Sequence, residues 1–202
     1  PLTYLGPAFL YLGGKYILDI EPTILKNKME FNITNIPPKS NATIIYRASV
    51  NEFAPLASGS EITTSTEVTT LNINNIPKAS CVLTVKDEAD IKIIKSMNPN
   101  PVLSGEEITY NFSLYNYGNM PATNIILNDT FSPAPVDIRV YLNSEIVSDS
   151  SFCYKNNTLT LPAKNNTDFS ITIPAANFIQ DSVTGIISTE PGMITITAAG
   201  KI

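Results

Sequence analysis

The sequence contains no histidine and no tryptophan, and only two of its 202 residues are cysteine. Histidine is the commonest metal ligand and the commonest general base near neutral pH, so its absence excludes Ser-His-Asp and Cys-His catalysis within this chain. Charged residues make up only 15 % of the sequence, against about 25 % in an average globular protein. The composition points away from an enzyme, and we predict no catalytic, cofactor-binding or metal-ligating residue.

Positive charge and long apolar runs are also scarce. The net charge of −5 argues against nucleic-acid binding, which needs a basic face. No apolar run approaches the roughly 18 residues that span a bilayer, so we predict no membrane insertion. The apolar residues 1–12 lack the basic start and the small-residue cleavage site of a signal peptide, and we predict a strand and a turn there.

Short segments with alternating apolar and polar residues indicate an all-β fold. Residues 107–114 alternate strictly, which predicts a half-buried antiparallel strand with Ile108, Tyr110, Phe112 and Leu114 on its inner face. Residues 169–173 and 193–197 alternate in the same way, and we also predict strands over 42–50 and 61–68. Turns are predicted at Gly105 and, with positive φ, at Gly118. Many short strands separated by turns are typical of β-sandwiches.

The sequence also contains an internal repeat. Residues 9–19 resemble residues 139–149, with Tyr, Leu and Asp at matching positions and an offset of 130 residues. Further along, residues 42–50 align with 168–176, and 59–63 align with 192–195. Because the order of these matches is kept over a long stretch, we predict two copies of one domain type.

The two predicted copies are unequal. The second has additional strands predicted over 91–97, 106–116 and 122–129, and the first begins after the point where their counterparts would end. We therefore expect roughly 40 residues to be missing ahead of the first copy. A truncated chain would explain this, and so would a strand donated by a neighbouring subunit to the open sheet edge.

Residues 89–133 carry a series of short motifs: Lys95 in a strand, a bend at Pro99 and Pro101, Gly105-Glu106, Ile108-Thr109-Tyr110, Asn116-Tyr117-Gly118, Ala122-Thr123-Asn124 and Asp129-Thr130. This series resembles the "conserved repeat" immunoglobulin-like domain of bacterial surface proteins, domain of unknown function number eleven. The C-terminal part, residues 161–202, resembles the terminal module of short clostridial members of that family.

The resemblance implies two tandem immunoglobulin-like β-sandwich domains. The first would comprise residues 1–86 and lack its leading strands, the second would comprise residues 87–202, and the linker would be residues 86–89. The family has no shared catalytic residues, and its domains serve mostly as stalks, repeats and assembly modules.

Four residues are candidates for covalent cross-links. Cys81 and Cys153 are the only cysteines, and buried free thiols, a bridge between the domains and cross-links between molecules all stay open. Lys95 and Asp129 lie on predicted neighbouring strands, and some surface immunoglobulin-like domains join a strand Lys to Asn or Asp with the aid of a buried acid. The alternative for Lys95 is an exposed strand lysine.

The acidic residues Asp87 and Glu88 lie in the predicted linker, and Asp90 follows it directly. Calcium sites at domain junctions use several such oxygen ligands, but no D-x-D-x-D-G loop is present. We therefore favour solvated linker charge, and no cofactor is predicted.

These features favour a structural subunit of an extracellular layer or fibre on a cell or spore surface, spore appendages included. Its partners would be other copies of the chain, joined by strand addition. The alternative is an adhesin-type module that binds a surface ligand through loops 131–137 and 179–191. An accessory domain of a larger hydrolase is a third interpretation.

Overall fold

A computed structural model describes residues 1–71, 75–164, 166 and 168–202. In these residues the backbone forms antiparallel strands and one 3₁₀ turn at Asp149–Ser151, without an α-helix, which confirms the all-β prediction. The strands are β1 (Leu2–Leu12), β2 (Lys15–Ile20), β3 (Thr23–Leu25), β4 (Lys28–Glu30), β5 (Ala42–Val50), β6 (Glu61–Glu67), β7 (Lys78–Thr84), β8 (Ile91–Asn98), β9 (Glu107–Asn116), β10 (Leu127–Thr130), β11 (Val136–Leu142), β12 (Glu145–Ile146), β13 (Cys153–Lys155), β14 (Thr158–Leu161), β15 (Asn177–Gln180), β16 (Ile187–Glu190) and β17 (Gly192–Lys201).

The chain divides into two compact units, which we call unit 1 (Pro1–Ala54) and unit 2 (Pro55–Ile202). This division lies upstream of the predicted domain boundary at residue 86. The predicted domains, 1–86 and 87–202, stay a prediction.

Unit 1 contains a three-stranded sheet in the order β2-β1-β5 and a separate β3-β4 hairpin. Its core is small, because the cluster under the sheet contains only Ala8, Leu10 and Ile20 as buried apolar residues. Large apolar side chains of the same sheet remain exposed, namely Leu5, Tyr16, Ile17, Leu18, Ile45, Tyr46 and Val50. The sheet therefore has more apolar surface than this unit covers.

Unit 2 is sandwich-like, because two sheets share one core. A five-stranded sheet has the order β12-β11-β17-β9-β8, and a three-stranded sheet has the order β10-β14-β13. The four apolar residues predicted for the inner face of β9 are all buried in this core, together with Leu127, Leu159 and Leu161 of the second sheet. Burial of each large side chain contributes about 1.5–3 kcal/mol.

The two units repeat one strand-pairing scheme. Strand β1 pairs with β2 and β5, and β11 pairs with β12 and β17. Tyr11 lies opposite Thr43 on β5, and Tyr141, 130 residues later, lies opposite Thr197 on β17. The hairpins β3-β4 and β13-β14 keep the same offset. The structure thus supports the repeat over its first part.

The register of the strands corrects the later part of the predicted alignment. Because Thr43 and Thr197 occupy equivalent positions opposite the repeated tyrosines, β5 corresponds to the C-terminal half of β17. The predicted alignment of residues 42–50 with 168–176 is therefore wrong. The alignment of 59–63 with 192–195 is wrong as well, because 192–195 precede the part of β17 that matches β5. Residues 169–173 are not a strand, although Ile171 and Ile173 are buried as their alternation predicted. Their strand-like pairing is limited to an isolated bridge between Ile173 and Ala122. Because Ala122 makes only this bridge, the strand predicted over 122–129 is observed only as the shorter β10.

Buried Asn116 connects three segments of unit 2. Its Nδ2 donates to the carbonyl oxygens of Met120 (2.7 Å) and Pro174 (2.9 Å), and its Oδ1 accepts from the amides of Asp90 (3.1 Å) and Gly118 (3.0 Å). Every polar atom of this fully buried side chain is therefore satisfied. The end of the predicted linker is thus anchored to the turn that follows β9.

The prediction of a positive φ at Gly118 is wrong. A glycine is needed at this position because the main chain of the preceding segment packs closely against it. A Cβ at Gly118 would lie 2.2 Å from the carbonyl oxygen of Glu88 and 2.6 Å from the amide nitrogen of Asp90. The prediction for Gly105 is confirmed, because it lies in a turn at φ +88°.

We expect Asn116→Asp to lower the free energy of unfolding at neutral pH by about 3 kcal/mol or more. The substitution replaces the Nδ2 donor by an oxygen that faces two carbonyl oxygens in the core. Asn128→Asp is the matched control, because exposed Asn128 only accepts a hydrogen bond from Thr160 Oγ1 (2.8 Å). Its expected effect is within about 0.5 kcal/mol. Equal denaturation midpoints for the two variants would contradict the role given to Asn116.

Candidate functional site

Lys95 and Asp129 form an ion pair between the two sheets of unit 2. Strand β8 is an edge of the five-stranded sheet, and β10 is an edge of the three-stranded sheet. The prediction that Lys95 and Asp129 lie on neighbouring strands of one sheet is therefore wrong. Lys95 lies opposite buried Phe112 and shares its inward face. Asp129 follows buried Leu127 by two residues. The Lys95 Nζ lies 2.6 Å from Asp129 Oδ2.

Three aromatic rings lie on one side of the ammonium group of Lys95. Its Nζ lies 5.2, 5.5 and 5.4 Å from the ring centroids of Tyr110, Phe112 and Phe131. The rings of Tyr110 and Phe131 stack at a centroid distance of 4.5 Å, and the Tyr110 hydroxyl donates to the carbonyl oxygen of Pro133 (2.6 Å). Burial and the Asp129 charge raise the pKa of Tyr110. The ion pair thus lies against an aromatic wall that is fixed on the core.

The shielding of this pair distinguishes it from other ion pairs of the unit. The side chains of Lys95 and Asp129 are 39 % and 19 % exposed, whereas those of Arg139 and Glu107 are 50 % and 52 % exposed at a distance of 2.9 Å. Exposed pairs contribute about 0–1 kcal/mol, because water screens the charges and both side chains lose freedom. The sequence identified Lys95 and Asp129, but it missed Phe131, which it had placed in a ligand loop and which is only 2 % exposed.

The two cysteines are free and exposed, on β7 and β13 respectively. Of the three alternatives left open by the sequence, buried free thiols are therefore wrong for Cys81 and Cys153. Cross-linking between molecules through either thiol stays a prediction.

The outer edge of β5 is open. Among the described strands only β1 pairs with β5, whereas its counterpart β17 pairs with both β11 and β9. The main-chain N–H of Asn51 donates to the carbonyl oxygen of Pro1 (3.0 Å), and the main-chain carbonyl oxygen of Asn41 accepts from the N–H of Gly13 (2.9 Å). The main-chain groups of these odd-numbered residues therefore point toward β1. Since main-chain groups alternate between the two sides of a strand, the even-numbered residues 42–50 present their N–H and C=O groups to the open edge.

The loop between β15 and β16 is held in shape by Asp181. Its Oδ1 accepts from the amides of Val183 (2.9 Å) and Thr184 (2.6 Å) and from the Thr184 hydroxyl (2.9 Å). These hydrogen bonds lower the pKa of Asp181. Val183 lies at the tip of this turn and is 91 % exposed. The other proposed ligand loop, 131–137, instead buries Phe131 and Pro135.

The acidic residues of the predicted linker serve as hydrogen-bond and charge partners. The Asp87 carboxylate accepts from Asn119 Nδ2 (3.3 Å), and the Glu88 carboxylate pairs with the ammonium of Lys86. Within the described part of the chain, no group of three His, Cys, Asp or Glu residues is placed to hold a metal ion.

A search against family models, curated proteins and solved structures finds no significant match to this chain. Among the described residues there is also no helix long and apolar enough to cross a bilayer. The support for each candidate site is therefore the geometry of this chain alone.

We expect the turn at Asp181 to weaken in acid. A carboxylate with a lowered pKa supports its hydrogen bonds at neutral pH and loses them as the pH falls through that lowered pKa. NMR amide shifts of Val183 and Thr184 should therefore move together, with a midpoint below the ordinary range of Asp.

Asp181→Asn is the control for this titration, because it keeps an acceptor oxygen and removes the ionisable group. Both amides should retain their shifts across the acid range in this variant. A midpoint at the ordinary Asp value in the unsubstituted chain would contradict the hydrogen-bonded turn.

Proposed function

We propose that the chain is a structural subunit of an extracellular bacterial surface layer or fibre, built from two tandem immunoglobulin-like domains and joined to other copies by strand addition. The observation that carries this proposal is the open outer edge of β5. In unit 2 the corresponding edge of β17 is occupied over its full length by β9. Main-chain hydrogen bonds at such an edge supply affinity, and alternate side chains supply specificity.

The occupant that fits best is β8 of a second copy. Strands β5 and β8 have nine and eight residues, and the other strands with a single neighbour have two to seven. Strand β8 also exposes Ile91, Ile93, Ile94 and Met97. A contact between β5 of one copy and β8 of the next leaves one of each free at the ends, so that the assembly grows as an open chain.

The lysine side chains of β8 do not block pairing at its open edge. Edge strands often avoid association by placing lysines at the edge. The two lysines of β8 are both directed elsewhere, since Lys92 lies over the ring of Tyr117 at 4.4 Å and Lys95 contacts Asp129. The outer main-chain groups of β8 therefore remain accessible.

The resemblance of residues 89–133 to bacterial surface domains supports the proposed location on a cell or spore surface. The low charge content and the absence of histidine agree with a structural role. The partners under this proposal are copies of the same chain.

We expect Ala48→Pro to prevent assembly without unfolding unit 1. Ala48 is exposed and its N–H faces the open edge, where proline is tolerated in a strand but removes a donor needed for strand addition. Ala48→Ser keeps the N–H and is the matched control. Sedimentation velocity and negative-stain electron microscopy should show filaments for the unsubstituted chain and Ala48→Ser, and monomers for Ala48→Pro. Monomers in all three samples would overturn the proposal.

A mixing experiment tests the choice of β8 as the donor strand. The main-chain carbonyl oxygen of Asp90 accepts a hydrogen bond from the Tyr117 amide on the β9 side (2.7 Å). Because main-chain groups alternate along a strand, the N–H and C=O groups of the odd-numbered residues of β8 point to its open edge. Ile93→Pro should therefore also give monomers. A mixture of Ala48→Pro and Ile93→Pro should form dimers and no filaments, because one intact edge of each kind is left. Monomers in the mixture would exclude β8 as the partner of β5.

A second candidate function is an adhesin-type module that binds through loop 179–191. The observation in its favour is exposed Val183 on the turn fixed by Asp181. A monomeric chain that binds a glycan or a host protein, and loses that binding in Val183→Ser, would favour this function over assembly.

A further inference from the structure

We propose that the Lys95 Nζ and the Asp129 carboxyl carbon become joined by an amide bond within one chain. This bond would fasten β8 to β10 and thereby connect the two sheets of unit 2. The inference does not depend on the proposed function, because both residues belong to the same unit.

The geometry brings the two reacting groups together. The Lys95 Nζ lies 2.6 Å from Asp129 Oδ2. Lys95 shares the face of buried Phe112 on the neighbouring strand, and Asp129 shares the face of buried Leu127 on its own strand. Groups held in contact by a folded structure react as if at very high concentration, since the entropy of bringing them together is already lost on folding. A lysine and an aspartate free in solution have no such advantage.

The reaction balances without another reactant. The ammonium of Lys95 passes one proton to the Asp129 carboxylate along their hydrogen bond, and the neutral amine then attacks the carboxyl carbon to form the C–N bond. A second proton moves from nitrogen to the departing hydroxyl, the C–O bond breaks, and water leaves. An ammonium and a carboxylate thus become one amide and one water molecule.

The aromatic wall favours the product. The rings of Tyr110, Phe112 and Phe131 cover one side of the pair, so water can reach the bond only from the other side. A partly buried ion pair also carries a desolvation penalty for two charges, which a neutral amide avoids. The Tyr110 ring is held in place, because its hydroxyl donates to the carbonyl oxygen of Pro133 and its ring stacks on Phe131.

Intact mass spectrometry of the purified full chain tests the proposal. The unsubstituted chain should weigh less than its sequence mass by one water molecule. Lys95→Arg keeps the cation beside Asp129 and should have its full sequence mass, as should Asp129→Ala. Asp129→Asn should instead lose one ammonia molecule, because the side-chain amide nitrogen then leaves in place of oxygen.

Peptide mapping identifies the bond. Digestion of the unsubstituted chain should release a branched peptide that contains both Lys95 and Asp129. A chain at its full sequence mass would overturn the proposal, and so would a mass loss that maps to any other pair or to an asparagine succinimide. The mass and map of the unsubstituted chain decide the question even where a variant fails to fold.

Discussion

The pairing of strand edges is the constraint on which the rest of this structure depends. Each strand has two rows of main-chain donors and acceptors, and a row that no strand covers is a site for association. Strand β17 has both rows covered, by β11 and β9, and it contributes Ile194, Ile196 and Ala198 to the core. Strand β5, its counterpart in the repeat, has one row covered. The difference between the two units begins with that missing neighbour.

Core formation follows from the same difference. In unit 2 strands lie on both sides of β17, and the resulting five-stranded sheet is wide enough to pack against a second sheet. Large residues such as Tyr110 and Phe112 are therefore fully buried. In unit 1 the three-stranded sheet buries only Ala8, Leu10 and Ile20 and leaves much of its apolar surface in contact with solvent. An added strand would therefore supply hydrogen bonds and apolar contacts together.

Alternation in the sequence identified the strand at 107–116 and its inner face, because side chains follow a period of two whatever the strand pairs with. The same pattern does not identify the partner, which explains why residues 42–50 were aligned with 168–176 and not with β17. It also could not distinguish a strand from the isolated bridge at Ile173. Lys95 and Asp129 were selected from the sequence, but their contact across two sheets, and the ring of Phe131 beside them, depend on packing between distant segments.

An amide between Lys95 and Asp129 would matter most if β8 is the strand through which copies are joined. A pull on the outer edge of β8 is resisted on its inner side by the hydrogen bonds to β9. Such bonds on an edge strand can open one after another from an end, and each contributes little by itself. A covalent bond from the middle of β8 to β10 would pass part of the force to the second sheet. Strand addition and the amide would then be two parts of one arrangement, in which the strand exposed for assembly is also the strand fastened to the core.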